Sequence, residues 1–277
     1  MAERVSLLEI VAAILVLGSL GLLFGLGLAI ASKKFCVAVD PHLEKIISCL
    51  PGANCGACGM PGCMGFAQSL LKGEVALNSC RAIDEDSRKK VARILGVELQ
   101  ARVRQVAVLH CAGGKKVGDK FQYNGLEDCL AADLVLGGGK ECVYGCLGFV
   151  TCKEVCPFEA ITMSSEALPV VAPLKCRACG KCVEACPKKL FSLIPASSSV
   201  VVACNSHDTG RDVQAVCPVG CIACRKCEKA CKFDAIHVVD NLAVIDYNKC
   251  TSCGECVKVC PTKCIIIPKA NLKNKEI

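Results

Sequence analysis

Tryptophan is absent from the 277 residues, aromatic side chains make up only 4 %, and the 53 % hydrophobic content is swollen by cysteine. A core built on so few large side chains would be poor for this length, so hydrophobic burial alone does not organise the chain. The signatures of nucleotide and hydrolytic chemistry are missing as well. There is no Walker loop, no GxGxxG after a strand, and no nucleophile with a matching base. "GGGK" at 137–140 has the glycines without the rest of a phosphate loop, and reads as turns. Nucleic acid is excluded as a partner because aromatics are too few and an apolar anchor precedes everything else.

Cysteine is what the chain has in excess, with 27 residues. At that density the choice lies between a disulfide scaffold and a metal protein. Thiols in tight groups of the CxxCxxCxxxC type sit too close for sensible long-range bridges, but they suit four sulfurs closing on an inorganic core.

Ile10 to Ala31 carries no charge over 22 positions, about 33 Å as a helix, enough to cross a bilayer. A cleaved signal peptide would have a shorter apolar region behind basic residues. Here Glu3, Arg4 and Glu9 lie in front, and Lys33 and Lys34 stand behind. The positive-inside tendency predicts a single pass with the N-terminus outside and all later residues on the cytoplasmic side of the cytoplasmic membrane. Gly21 and Gly25 form a GxxxG, a face that lets another membrane helix approach. With only Glu9 near its outer end, the helix offers no ion path.

Five cysteine sets follow. Cys55, Cys58, Cys63 and Cys80 sit among many glycines, with helices expected from Met64 to Lys72 and from about Asp84 to a stop at Gly96. Zinc is the rival here, but three clustered thiols and a distant fourth favour a [4Fe-4S] cubane. Next come runs ending in a fourth cysteine that, in the dicluster ferredoxin grammar, ligates the neighbouring cluster. That rule assigns Cys142, Cys146, Cys152 and Cys186 to a second cluster, and Cys156, Cys176, Cys179 and Cys182 to a third. The grammar then repeats. Cys221, Cys224, Cys227 and Cys260 make a fourth set; Cys231, Cys250, Cys253 and Cys256 make a fifth, around a hairpin turning at Asp240-Asn241. The first run departs from the usual spacing, as CxxxCxxxxxCxxxC. Cys111, Cys129, Cys204 and Cys217 recur in duplicated segments, and are either buried small hydrophobes or ligands of a sixth cluster. Cys36, Cys49 and Cys264 read as buried small hydrophobes.

The expected fold is α+β: an N-terminal transmembrane anchor (1–34), a small α-helical [4Fe-4S] domain (35–100), two tandem dicluster ferredoxin-like modules (101–200 and 201–268), and a basic tail (269–277). Each module is expected to contain two short hairpins and two helices. The formal charge of +7 counts thiols as neutral. Five oxidised cubanes would contribute about −10, so net charge identifies no partner. Arg88, Lys89, Lys90, Arg93, Arg102, Arg104, Lys115 and Lys116 form either a patch for an acidic protein or a solvated face.

The anchor, "LPGANCGACGMPGC" at 50–63, Cys80, "GLEDC" at 125–129, "CVYGCLGF" at 142–149 and the runs after it resemble, in that order, the B subunits of Rnf complexes, the membrane-bound ferredoxin:NAD oxidoreductases. The resemblance spans nearly the whole chain. It implies an electron-transfer subunit that takes electrons from reduced soluble ferredoxin and passes them through five [4Fe-4S] clusters, or six, to membrane and flavoprotein subunits. Nicotinamide, flavin and ion pumping would belong to those partners. A zinc-rich structural module and an electron-input subunit of a different membrane dehydrogenase are the competing readings.

Overall fold

The computed structural model describes residues 7–34 and 40–268; Cys36 and the basic tail lie outside them. Contacts divide the chain into two units, Met1–Glu44 and Lys45–Ile277. In the first, helix α1 (Leu7–Lys34) runs for 28 residues. Its stretch Val11–Lys34, of mean hydropathy 2.4, is long and apolar enough to cross a membrane. Leu22, Leu23 and Leu28 on it are each 71 % exposed, so no protein surface in the unit covers them. Lys33 and Lys34 end the helix, where cations complement its dipole.

Helix α2 (Pro41–Cys49) buries Ile46, and α3 (Gly62–Leu71) buries Phe66, Ala67 and Leu70, which share one face at i, i+1 and i+4. Helix α4 (Glu85–Leu95) begins at Asp84, whose side chain accepts a hydrogen bond from the Ser87 amide at 2.9 Å. It ends at Gly96, which adopts the left-handed conformation with φ +67°. Only part of the basic run is free surface. Arg88 is 3 % exposed, and donates to Asn78 Oδ1 at 2.9 Å and the Gln100 carbonyl at 3.1 Å while pairing with Glu85 at 2.8 Å. Arg102 donates to the Cys80 and Ile83 carbonyls, and Arg104 to that of Pro173. These three arginines brace backbone; Lys89, Lys90 and Arg93 are exposed.

The rest of the chain contains two similar halves. The first comprises strand β1 (Gln105–Leu109), α5 (Cys129–Leu134), α6 (Thr151–Glu154), β2 (Ile161–Met163), β3 (Pro169–Val171), α7 (Lys181–Ala185) and β4 (Phe191–Pro195). The second comprises β5 (Val201–Val202), α8 (Gly210–Val216), α9 (Lys226–Ala230), β6 (Ile236–Val239), β7 (Leu242–Ile245), α10 (Glu255–Val259) and β8 (Ile265–Ile266). Each half has one hairpin, β2 with β3 and β6 with β7, rather than the two expected. The other sheet pairs the outermost strands, β1 with β4 and β5 with β8, antiparallel. Closing first strand on last ties both ends of a half together across its cysteine runs.

The turn of the second hairpin matches its sequence. Asp240 and Asn241 both take positive φ, +46° and +62°, as a two-residue turn matching strand twist requires. One core gathers Val106, Val108, Ile161, Phe191 and Ile194 with Cys152, Cys176 and Cys182. The other gathers Val200, Val202, Ile236, Leu242 and Ile265 with Cys221, Cys227 and Cys264. The aliphatic side chains are few because the cysteines occupy the positions that converge.

Candidate metal centres

Cys55, Cys58, Cys63 and Cys80 line one cavity of about 320 Å³, floored by Leu50 and Phe66. Asn54, at φ +46°, turns the loop so that its Oδ1 accepts from the Cys63 amide at 2.8 Å. Gly62 has φ +88°, and a Cβ there would lie 2.8 Å from that same oxygen, so glycine is required. Arg102 fixes the distant fourth thiol by donating to the Cys80 carbonyl at 2.8 Å.

In the ferredoxin-like runs the backbone repeats as closely as the cysteines do. The second and fourth residues after the first cysteine of a run are left-handed at Ala178 and Gly180, at Ala223 and Arg225, and at Ser252 and Gly254. The third residue after the last cysteine is left-handed in all four runs, at Glu159, Lys189, Asp234 and Lys263. The fourth brings its amide onto the last cysteine's sulfur: Ala160 to Cys156, Leu190 to Cys186 and Ala235 to Cys231, each at 3.4 Å. Backbone donors are therefore aimed at sulfur before any metal arrives. Cys156, Cys176, Cys179 and Cys182 line one cavity, and Cys231, Cys250, Cys253 and Cys256 another.

Around the second set the structure departs from the sequence reading. The cavity that holds Cys146, Cys152 and Cys186 is completed by Cys129, while Cys142 opens into a different cavity with Cys111, Cys204 and Cys217. Cys129 and Cys142 thus exchange places. The reason lies in register. Counted back from Cys152, the left-handed positions fall at Val150 and Gly148, which makes Cys146 the first cysteine of the run and puts Phe149 where the second belongs. Phe149 packs edge-on against Tyr123, ring centroids 5.3 Å apart. Cys129 fills the vacated role from outside the run. Its amide donates to Thr151 Oγ1 at 2.9 Å, and that hydroxyl donates to Asp128 Oδ2 at 2.9 Å. Aligning "CLGFVTC" on the other runs from their proline-flanked ends is the sequence signal that finds it.

In the fourth set, Cys221 and Cys227 are buried with Cys260 packed against them, whereas Cys224 is exposed. Cys264, 2 % exposed, reaches into this set: its sulfur lies 3.6 Å from Cys260 Sγ, and its thiol also bonds Cys221.

Burial dominates the electrostatics. It pushes the Cys146, Cys152 and Cys182 thiols up to about 12 and Cys142, Cys227 and Cys256 to about 11. Filling such a site therefore displaces protons. Cys221 and Cys260 go the other way, to about 6 and about 5, because the Cys264 thiol lies within hydrogen-bond reach of both and can give its single S–H to either. Among the described residues no three His, Cys, Asp or Glu side chains close on a single point as one ion requires. Tetrahedral zinc would draw its sulfurs to about 3.8 Å from one another. All-thiolate donors ringing open cavities fit the larger iron-sulfur cubane.

Two family models match: "Putative Fe-S cluster" over residues 50–82 and "4Fe-4S dicluster domain" over 220–264. The chain is 47 % identical over 251 residues to the B subunit of the Na(+)-translocating ferredoxin:NAD(+) oxidoreductase complex of Acetobacterium woodii, covering 90 % of this chain and 75 % of that one. It is 41 % identical over 253 residues to the B subunit of the ion-translocating oxidoreductase complex of Methanosarcina acetivorans, covering 91 % and 96 %. With the B subunit of the proton-translocating ferredoxin:NAD(+) oxidoreductase complex of Clostridium ljungdahlii it shares 40 % over 256 residues, 91 % and 90 % of the two chains. At these identities, over nine tenths of its length, the chain belongs to the family of B subunits of ion-translocating, Rnf-type oxidoreductase complexes.

Proposed function

We propose that this subunit accepts single electrons from a reduced soluble ferredoxin and delivers them to membrane and flavoprotein subunits of the same complex, which reduce NAD and move the coupling ion. Five [4Fe-4S] clusters are assigned to Cys55, Cys58, Cys63 and Cys80; to Cys129, Cys146, Cys152 and Cys186; to Cys156, Cys176, Cys179 and Cys182; to Cys221, Cys224, Cys227 and Cys260; and to Cys231, Cys250, Cys253 and Cys256. The clusters would supply one-electron conduction. The protein holds sulfur at fixed spacing, aims amides at it and buries part of it. In this reading 101–200 and 201–268 are dicluster ferredoxin-like modules, and 35–100 is a separate single-cluster domain.

The observation that carries this reading is the convergence of cysteine foursomes on separate cavities. Electrons enter at the second module and leave from the Cys55 site, which follows the apolar helix by about twenty residues of chain. Lys33 and Lys34 favour the cytoplasmic side for everything after them. In the anaerobically assembled complex, Cys55→Ala is expected to remove about four irons and to stop reduction of the membrane subunits, while the remaining clusters are still reduced by ferredoxin. If Cys55→Ala left membrane-directed transfer intact and Cys250→Ala abolished it, this route would be wrong.

A further inference from the structure

We propose that an acidic one-electron carrier docks on one face of the second half, formed by Lys232, Phe233, Cys253 and Lys258 at the edge of the fifth cysteine set. The proposal rests on the function proposed above and narrows electron entry from a module to a surface. Among the described residues only Cys224 and Cys253 are exposed cysteines, and both lie in the second half. Transfer between two proteins needs a cluster edge that a partner can approach, and the cysteines of the first three sets are all buried or half-buried.

The run ending at Cys231 departs from its fellows at this edge. The other three runs place proline after their last cysteine, at Pro157, Pro187 and Pro261; here Lys232 takes that position and is exposed. The next residue, Phe233, is 47 % exposed and lines the same cavity as Cys231, Cys250, Cys253 and Cys256. Its counterpart in the first run, Phe158, packs against the first half's core instead. In the run that completes the fourth set the equivalent positions hold Pro261 and Thr262, so the Cys224 edge lacks both the lysine and the ring there.

Ion pairing leaves this edge positive. Glu255 is taken by Lys258 at 2.8 Å and Asp234 by Lys249 at 3.1 Å. Lys258 first, and Lys232 with it, hold the Glu255 carboxyl below its ordinary value, so both ammonium groups stand around one carboxylate. Helix α9, which packs against α10, adds the exposed Lys226 and Lys229, while its one carboxylate, Glu228, faces His237 at 3.3 Å. A small face of this kind suits a transient carrier, since redox encounters bury less than about 1,200 Å² in total. Opposite charge steers such encounters and raises the association rate. A lipid surface gains nothing from an exposed sulfur with a ring beside it, whereas an electron donor does. One electron leaves the reduced donor, which is oxidised, and enters the cluster of the fifth set; no bond forms or breaks and no proton moves.

The test mixes the anaerobically reconstituted full chain, in neutral-lipid nanodiscs, with a reduced acidic ferredoxin carrying two [4Fe-4S] clusters. Carbodiimide condenses a lysine amine with a carboxylate in contact, the water lost being taken up by the reagent as a urea, and peptide mapping should find Lys232 or Lys258 joined to the ferredoxin. In stopped flow the bimolecular rate of cluster reduction should fall as salt rises. Lys232→Glu should slow it about tenfold at low salt. Lys232→Pro, which installs the residue of the other three runs, should keep the iron content yet slow reduction and flatten its salt dependence. The proposal is overturned if both variants leave rate and salt dependence unchanged, or if the cross-links fall on Lys89 or Lys90 instead. It is overturned in favour of a lipid surface if Lys232→Glu abolishes binding to phosphatidylglycerol vesicles while ferredoxin still reduces the chain at the wild-type rate. A wild type that ferredoxin does not reduce at all would instead remove the function on which the proposal rests.

Discussion

Cys264 stands where Ala160, Leu190 and Ala235 stand in the other three runs, four residues after the final cysteine. Those three offer only an amide to the sulfur; Cys264 adds a thiol that reaches Cys260 and Cys221. As metal-bound thiolates those two would only accept, so Cys264 would donate its one S–H to one or the other. Hydrogen bonds to ligand sulfur stabilise the reduced, more negative cluster. Cys264→Ala is therefore expected to leave the iron count unchanged and lower the midpoint potential of the fourth cluster in a redox titration; an unchanged potential would deny it that role. Which cysteines cluster was legible in the sequence, since spacing fixes local convergence. That Cys129 shares the cavity of Cys146, Cys152 and Cys186 was obscured because Phe149 stands where the other runs have their second cysteine, and Cys129 lies seventeen residues before Cys146.

Local signals served well at the scale of elements. Asp84, Gly96 and the Asp240-Asn241 turn each act within four residues, so the sequence alone announces them. Removing the cap with Asp84→Ala should cost about 1 kcal/mol in denaturant unfolding, and Asp84→Asn much less. The Ser87 amide holds the Asp84 carboxyl below its ordinary value of 3.8. A lowered folded value adds stability that is complete above the ordinary value and lost only as pH falls through the folded one. The difference between wild type and Asp84→Ala should accordingly stay flat between about pH 6 and 8, and a slope there would count against the cap. Pairing of β5 with β8 had no such local signal. Each strand is only two residues long, and its partner lies more than sixty residues away.

The whole molecule combines an apolar helix with a cysteine-rich unit, and it belongs to a family of membrane-complex subunits. Deleting residues 1–34 is expected to move the chain from the membrane to the soluble fraction in a strain lacking its partner subunits, with iron content retained; persistence in the membrane would place its attachment elsewhere. Relatives named for sodium and for protons cover about the same share of this chain, 90 % and 91 %.

The pairing of Gln105 with Pro195 sets a schedule for biosynthesis. A ribosome adding about 5 to 20 residues per second leaves β1 waiting roughly 5 to 20 s for β4. In that interval the ten cysteines between them emerge with no closed sheet to shelter them. Until that strand arrives, the nascent chain needs a reducing environment, or a carrier for its thiols.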